Sequence, residues 1–327
     1  MPGPDTGPDA GPDAGPDAGL LDPGRDMPDR FSARSAVART LCEARTDQQE
    51  EQMDYLQAVV LGIVEGLTEF LPVSSTGHLT ITEKLLGLST TDPAVTGFTA
   101  VIQMGAILAV IVYFARDIWR IVVAWLTGLV KPELRGTIEH RMGWYVIAGT
   151  IPIGIVGFAL KNVIKDDLRS LWVVAIALIA WSAVMVYAER RGRQTRGEKD
   201  LSLRDSIVVG VVQCIALVPG VSRSGATISA GLLLGLDRVT ATRLSFFLSI
   251  PALLAAGLFE LKDALGGDIG GGPTLVGTLV SFVVAYASIA WLLRFVAGHR
   301  ITAFVPYRVA LGVVLLVLLG TGVMSAT

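Results

Sequence analysis

From residue 55 onward the apolar positions fall in long, nearly unbroken blocks, with neither the alternation of half-buried strands nor the one-sided stripe of surface helices. Blocks at about 93–115, 143–160, 171–188, 244–260, 274–296 and 306–324 each approach the roughly 20 residues that a bilayer-spanning helix needs. Two further apolar regions, 55–88 and 205–236, are interrupted midway by Pro and Gly. Breaks of that kind suit segments that line a cavity rather than face lipid. Residues 118–130, preceded by Arg116 and carrying Arg120 and two tryptophans, read as an interfacial stretch.

Polar residues between the blocks set an orientation. Residues 116–141 (with Arg116, Arg120, Lys131, Arg135 and Arg141), 189–204 and 294–308 (with Arg294, Arg300 and Arg308) are basic and are expected on the cytoplasmic side. Residues 261–273, with one Lys and two Asp, fit the outside. Arg204, Arg238 and Arg243 flank 205–236 on one face, so that region enters and leaves from the cytoplasm, and 55–88 dips in from the opposite side. The expected fold is therefore all-α and integral to the membrane: an inverted-topology repeat of two halves, about 55–190 and 205–325. Each half has a re-entrant helical hairpin plus three spans, about six transmembrane helices in all.

Composition sharpens this picture. The 327 residues are 52% hydrophobic and only 17% charged, and the mean hydropathy is +0.58, far outside the range of soluble globular chains. Residues 1–54 differ in kind. They open on a GPDA repeat, acidic and Pro-rich, that is expected to stay disordered, and they lack the apolar core of a signal peptide. Cys42 in that tail and Cys214 in an apolar stretch are not expected to pair, and no Cys-based metal spacing exists.

The broken stretches carry the candidate chemistry. Within Gln57–Leu79, Glu65 and Glu69 lie four apart, on one face of a helix, where they can share a cation or a proton. An ionisable side chain at mid-bilayer depth costs roughly 2.5–3.5 kcal/mol, so such groups point to a functional site lined by protein or water. Pro72 ends the helix, and Ser74, Ser75, Thr76 and Gly77 form a hydroxyl-rich turn into a helix beginning near His78. Residues 208–229 follow the same plan at a constant offset. Gly62 pairs with Gly210, Val64 with Val212, Val73 with Val221, Ser74 with Ser222 and Gly77 with Gly225, while Glu65 falls opposite Gln213 and Ser75 opposite Arg223. The first copy is acidic and the second basic. If both tips meet near the midplane, helix starts with free N–H groups, the hydroxyls of Ser222, Ser224 and Thr227, and the planar guanidinium of Arg223 suit paired phosphoryl oxygens. Glu65 and Glu69 suit a divalent ion bridging those oxygens. The expected ligand is a phosphorylated molecule with a lipid tail. His140 and His299, in basic loops, read as solvated, and Gln103 and Glu260 as bonding to neighbouring helices.

EGLTEFLPVSSTGH at 65–78 with PGVSRSGAT at 219–227 resembles the two signature motifs of the undecaprenyl-diphosphatase family, linked with bacitracin resistance, and the resemblance runs through about 55–325. It implies a metal-dependent membrane enzyme, using Mg²⁺ or Ca²⁺, that hydrolyses undecaprenyl diphosphate to the monophosphate and phosphate in the bacterial plasma (inner) membrane and so recycles a carrier lipid for cell-wall synthesis. The implied partners are the polyprenyl diphosphate and the membrane, with no nucleic acid; a homodimer is allowed for. By the same resemblance Glu65 and Glu69 bind metal or orient water, Ser75 is nucleophile or phosphate ligand, His78 is general acid or base and Arg223 clamps the diphosphate. Ser74, Thr76, Gly77, Ser222, Ser224 and Thr227 assist in binding. An inverted-repeat transporter or flippase for a polyprenyl phosphate is the alternative.

Overall fold

The computed structural model describes residues 53–90, 92–161, 163, 170–264 and 270–326, with side chains outside 259–264. The expected disordered tail lies outside the described residues, as does the side chain of Glu260. Among the described residues the structure is all helical, apart from one isolated bridge between Arg196 and Leu236.

Six helices among the described residues are long and apolar enough to span a bilayer: α3 (Pro93–Tyr113), α5 (Ile138–Ala159), α6 (Leu171–Arg191), α9 (Arg238–Ala264), α10 (Gly271–Gly298) and α11 (Val305–Gly320, preceded by a 3₁₀ turn at Ile301–Phe304). They coincide with the six sequence blocks. Several starts follow directly from their cap residues. Asp92 accepts from Ala94 N–H beside Pro93 at the start of α3, Thr137 accepts from His140 N–H before α5, and Ser170 from Trp172 N–H before α6. Apolar side chains on the outer faces, among them Leu108, Val112, Ile155, Phe158, Leu279, Val283, Val314 and Val317, stay exposed, as helices bathed in lipid require.

The broken regions become pairs of short helices: α1 (Tyr55–Thr68) with α2 (Ser75–Leu85), and α7 (Leu203–Gln213) with α8 (Arg223–Leu233). At 1.5 Å per residue none of the four reaches across about 30 Å of hydrocarbon. That leaves helix, break and helix in each half, as the Pro and Gly positions predict.

Packing follows the internal duplication. α1 lies on α10 of the second half, and α7 lies on α5, the corresponding helix of the first. Both contacts are made through glycine. A Cβ on Gly62 would sit 2.6 Å from Gly277 O, and one on Gly210 would sit 2.0 Å from Gly149 O. The reciprocal contacts match too: a Cβ on Gly277 would be 3.1 Å from Ala58 O, and one on Gly149 would be 2.9 Å from Ser206 O. α3 packs on α9 and α6 on α11, each pairing equivalent helices of the two halves.

The segment 116–141, read from its charge as a loop, is instead mostly helix α4 (Ala115–Val130) and a 3₁₀ turn at Pro132–Leu134. α4 folds back on α5, and this corrects the reading of His140 as solvated. His140 is only 5% exposed, because its ring fills the space left by Gly128 while Nδ1 approaches Ala124 O at 3.2 Å. His299 is exposed and stacks on Phe295.

At one end of the molecule the basic segments converge on carboxylates. Arg243 pairs with Asp117 at 2.9 Å and with Glu198 at 3.4 Å. Arg238 pairs with Glu189, whose other oxygen accepts from Ile301 N–H at 3.1 Å. The three stretches assigned to one face by charge therefore do meet there, with the exception of Arg308, which is described below.

Candidate active site

α1 ends where its sequence stops supporting a helix. Glu69 takes the C-cap in helical geometry, its N–H donating to Glu65 O at 3.0 Å, and Phe70 is buried edge-on against Phe246. Pro72 follows, and Ser74 adopts φ 79°, ψ 98°. A non-glycine residue there carries about 1–3 kcal/mol of strain and persists only when its surroundings fix it. Ser74 is fixed twice. Its Oγ accepts from Gly220 N–H at 3.1 Å, and its carbonyl accepts from His78 N–H at 3.3 Å and from His78 Nδ1 at 2.7 Å.

The second turn repeats the device. Ser222 has φ 74°, ψ 121°, and its Oγ accepts from Gly225 N–H at 3.2 Å, capping α8. Gly220 at φ +96° approaches the backbone of α6 so closely that a Cβ would lie 2.4 Å from Val174 O. Ser224 Oγ donates to Leu71 O of the first turn at 2.9 Å. The tips from the two halves are thus hydrogen-bonded to one another.

Where they meet, three predicted residues form a chain. Ser75 Oγ donates to Glu69 Oε2 at 2.5 Å, and Arg223 Nη2 donates to Glu69 Oε1 at 2.8 Å. Arg223 also reaches Ser249 O at 3.4 Å and lies within electrostatic range of Glu65. The Glu69 and Arg223 side chains are 4% and 13% exposed, so each charge depends on the other for its solvation. A hydroxyl on a carboxylate that a cation orients is the nucleophile, base and orienter pattern of covalent catalysis.

The remaining predicted residues occupy three settings. Glu65, Ser75 and Thr76 border a cavity of about 180 Å³ between α1, α2 and α3, which Thr80, Glu83, Thr96, Thr99 and Gln103 also line. Gln103, read as a helix-bonding residue, faces this cavity. Gly77, Ser222, Ser224 and Thr227 are buried in the packing: Gly77 lies against Val174, and Thr227 Oγ1 donates to Arg223 O at 2.8 Å and meets Ser245 Oγ at 2.6 Å. His78 shares α2 with Ser75, but its ring bonds Ser74 O and Tyr307 Oη, at 2.5 Å, rather than Glu69.

Sequence reasoning missed Arg308. Its place in a basic stretch put it in a cytoplasmic loop; instead it is fully buried in the first turn of α11. Nη1 donates to Pro72 O at 3.0 Å, Nη2 to Gly220 O at 2.9 Å and Val221 O at 3.1 Å, and Nε to Ser182 Oγ at 3.1 Å. One guanidinium therefore holds carbonyl oxygens of both tips and ties them to the Ser182 hydroxyl of α6. The available signal was its position, three residues into the apolar block at 306–324.

The donor set fits a divalent cation of the magnesium type. Among the described residues no three His, Cys, Asp or Glu side chains gather as a metal cage, and both Glu69 oxygens are engaged. The cavity is nevertheless lined by Glu65, Glu83 and several hydroxyls, all hard oxygen donors, with no Lys or Arg among the described residues of its lining. Magnesium beside a phosphate substrate needs only one or two carboxylates, the rest of its shell coming from phosphoryl oxygens and water.

Comparison with known proteins gives concordant results. The sequence profile of the family described as Bacitracin resistance protein BacA matches residues 58–314. The chain is 60% identical over 275 residues to an undecaprenyl-diphosphatase of Acidothermus cellulolyticus, covering 84% of this chain and all of that protein. It is 63% identical over 271 residues to undecaprenyl-diphosphatase 1 of Streptomyces coelicolor, covering 83% and 98%, and 53% identical over 284 residues to an undecaprenyl-diphosphatase of Cutibacterium acnes, covering 84% and 100%.

Proposed function

The chain belongs to the bacitracin resistance protein BacA family, and from that premise we propose that it hydrolyses undecaprenyl diphosphate to undecaprenyl phosphate and inorganic phosphate. It is a multi-pass membrane protein, and we place it in the bacterial plasma membrane, where such a carrier lipid resides.

The observation that carries the mechanism is the Ser75–Glu69–Arg223 chain. Glu69 Oε2 takes the Ser75 hydroxyl proton as Oγ attacks the terminal phosphorus. The bond from that phosphorus to the bridging oxygen breaks, and undecaprenyl phosphate leaves with the electron pair. Water then attacks the phosphoserine, loses its proton to a carboxylate or to His78, and releases phosphate, restoring the Ser75 hydroxyl. Arg223 holds Glu69 in line and lies beside the phosphoryl oxygens, where fixed positive charge lowers the barrier to transfer. Glu65, with the hydroxyls of the cavity, would hold Mg²⁺ or Ca²⁺, which when bound supplies positive charge to the diphosphate. Thr76 and the backbone at the start of α2 complete the binding surface.

Phosphate release by purified protein in detergent tests this reading. Activity is expected with magnesium or calcium, to be abolished by a chelator, and to be lost in Glu69→Ala and Arg223→Ala. Lipid flux in liposomes without phosphate release would instead establish a transporter. Near wild-type release from Ser75→Ala would exclude the phosphoserine and leave direct attack by water.

A further inference from the structure

We infer that Tyr307 is the positioning residue of His78. It lies outside both motif stretches, on α11, and no feature of the local sequence marks it. Its hydroxyl stands 2.5 Å from His78 Nε2, and the two rings stack with centroids 5.6 Å apart at an interplanar angle of 16°.

The pairing fixes the imidazole. Nδ1 lies 2.7 Å from Ser74 O, and because a carbonyl only accepts, Nδ1 carries a hydrogen. In the neutral ring Nε2 is then the acceptor, and the Tyr307 hydroxyl donates to it. Both nitrogens are spoken for: one by a Ser74 that is itself held by Gly220, the other by a phenol on the helical turn that Arg308 locks to the tips. Any proton that His78 exchanges passes through Nε2. Tyr307 itself is half-exposed and its hydroxyl meets His78, whereas Glu69 bonds Ser75 and Arg223, so its effect on turnover runs through His78.

This inference rests on His78 acting as the acid or base of the hydrolysis. It is tested by Tyr307→Phe, which keeps the stacked ring and removes only the hydroxyl, together with His78→Gln and the double variant, each assayed for phosphate release across undecaprenyl diphosphate concentrations. Tyr307→Phe is expected to lower kcat about tenfold or more with KM within about twofold, consistent with weakened general acid–base catalysis. The double variant is expected to be no slower than His78→Gln, since residues acting as one unit are not additive. Wild-type kcat in Tyr307→Phe, a change confined to KM, or losses that multiply in the double variant would each overturn the assignment while leaving hydrolysis standing. Full activity in His78→Gln would overturn the role of His78 and that of Tyr307 together.

Discussion

Residues 69–78 and 217–226 occupy corresponding places in the two halves and share a backbone plan, yet they carry opposite charge. Each has a serine at positive φ ahead of a short helix and a glycine three residues later, and each is preceded by a helix seated on glycine backbone of the other half. The side chains have diverged: Glu65 faces the place of a buried neutral Gln213, and Ser75 that of Arg223. Even the crossing hydrogen bonds are one-sided. Gly220 N–H reaches Ser74, but its counterpart in the first turn is Pro72, which has no N–H to return. Duplication thus preserved the frame, and chemistry arose where the copies ceased to match.

Exchanging the charges tests that conclusion most severely. Glu69→Ala and Arg223→Ala are each expected to lower kcat by about 10³-fold or more and to destabilise the protein by about 3–5 kcal/mol, since each strands a buried charge. The double exchange Glu69→Arg with Arg223→Glu is expected to recover thermal stability in detergent but not phosphate release, because Ser75 would then face a donor instead of an acceptor. Recovery of turnover would mean that the halves are chemically interchangeable.

Arg308→Met removes the group that both tips share. With the carbonyls of Pro72, Gly220 and Val221 deprived of their donor, unfolding in detergent is expected about 3 kcal/mol easier, with activity falling alongside. Unchanged stability would show that the tips hold together without it. Gly210→Ala and Gly62→Ala probe the equivalent seats and are expected to cost about 1–3 kcal/mol each, Gly210 the more because its contact is shorter. Equal melting temperatures would break the ranking. Ser222→Ala and Ser74→Ala should have the smallest effects, about 1 kcal/mol apiece by thermal unfolding, from the lost acceptors for Gly225 and Gly220.

The six spans, both broken stretches and the importance of Glu69 and Arg223 were legible in the sequence because charge and Pro–Gly breaks inside apolar runs are conspicuous; that Glu69 bonds Ser75 and Arg223 rather than sharing a site with Glu65 was not. Arg308 and His140 were not. Counting basic residues between spans assumes that a charge near a block edge faces water, and it cannot see a helix such as α4 turning back to cover a histidine with Gly128. Tyr307 escaped for a different reason: a tyrosine near a span end is ordinary at a membrane interface, and only the fold brings it to His78.

The fastening of both tips by Arg308 bears on how the molecule is born. α11 is the last of the eleven α-helices among the described residues, so the ribosome has delivered both tips, and the translocon has handled every other span, before the guanidinium emerges. Until then the carbonyls of Pro72, Gly220 and Val221 in the nascent chain lack their common donor. A fragment released ahead of that helix would enter the bilayer with all the acidic and basic groups of the reaction but without the guanidinium that binds the carbonyls of both turns.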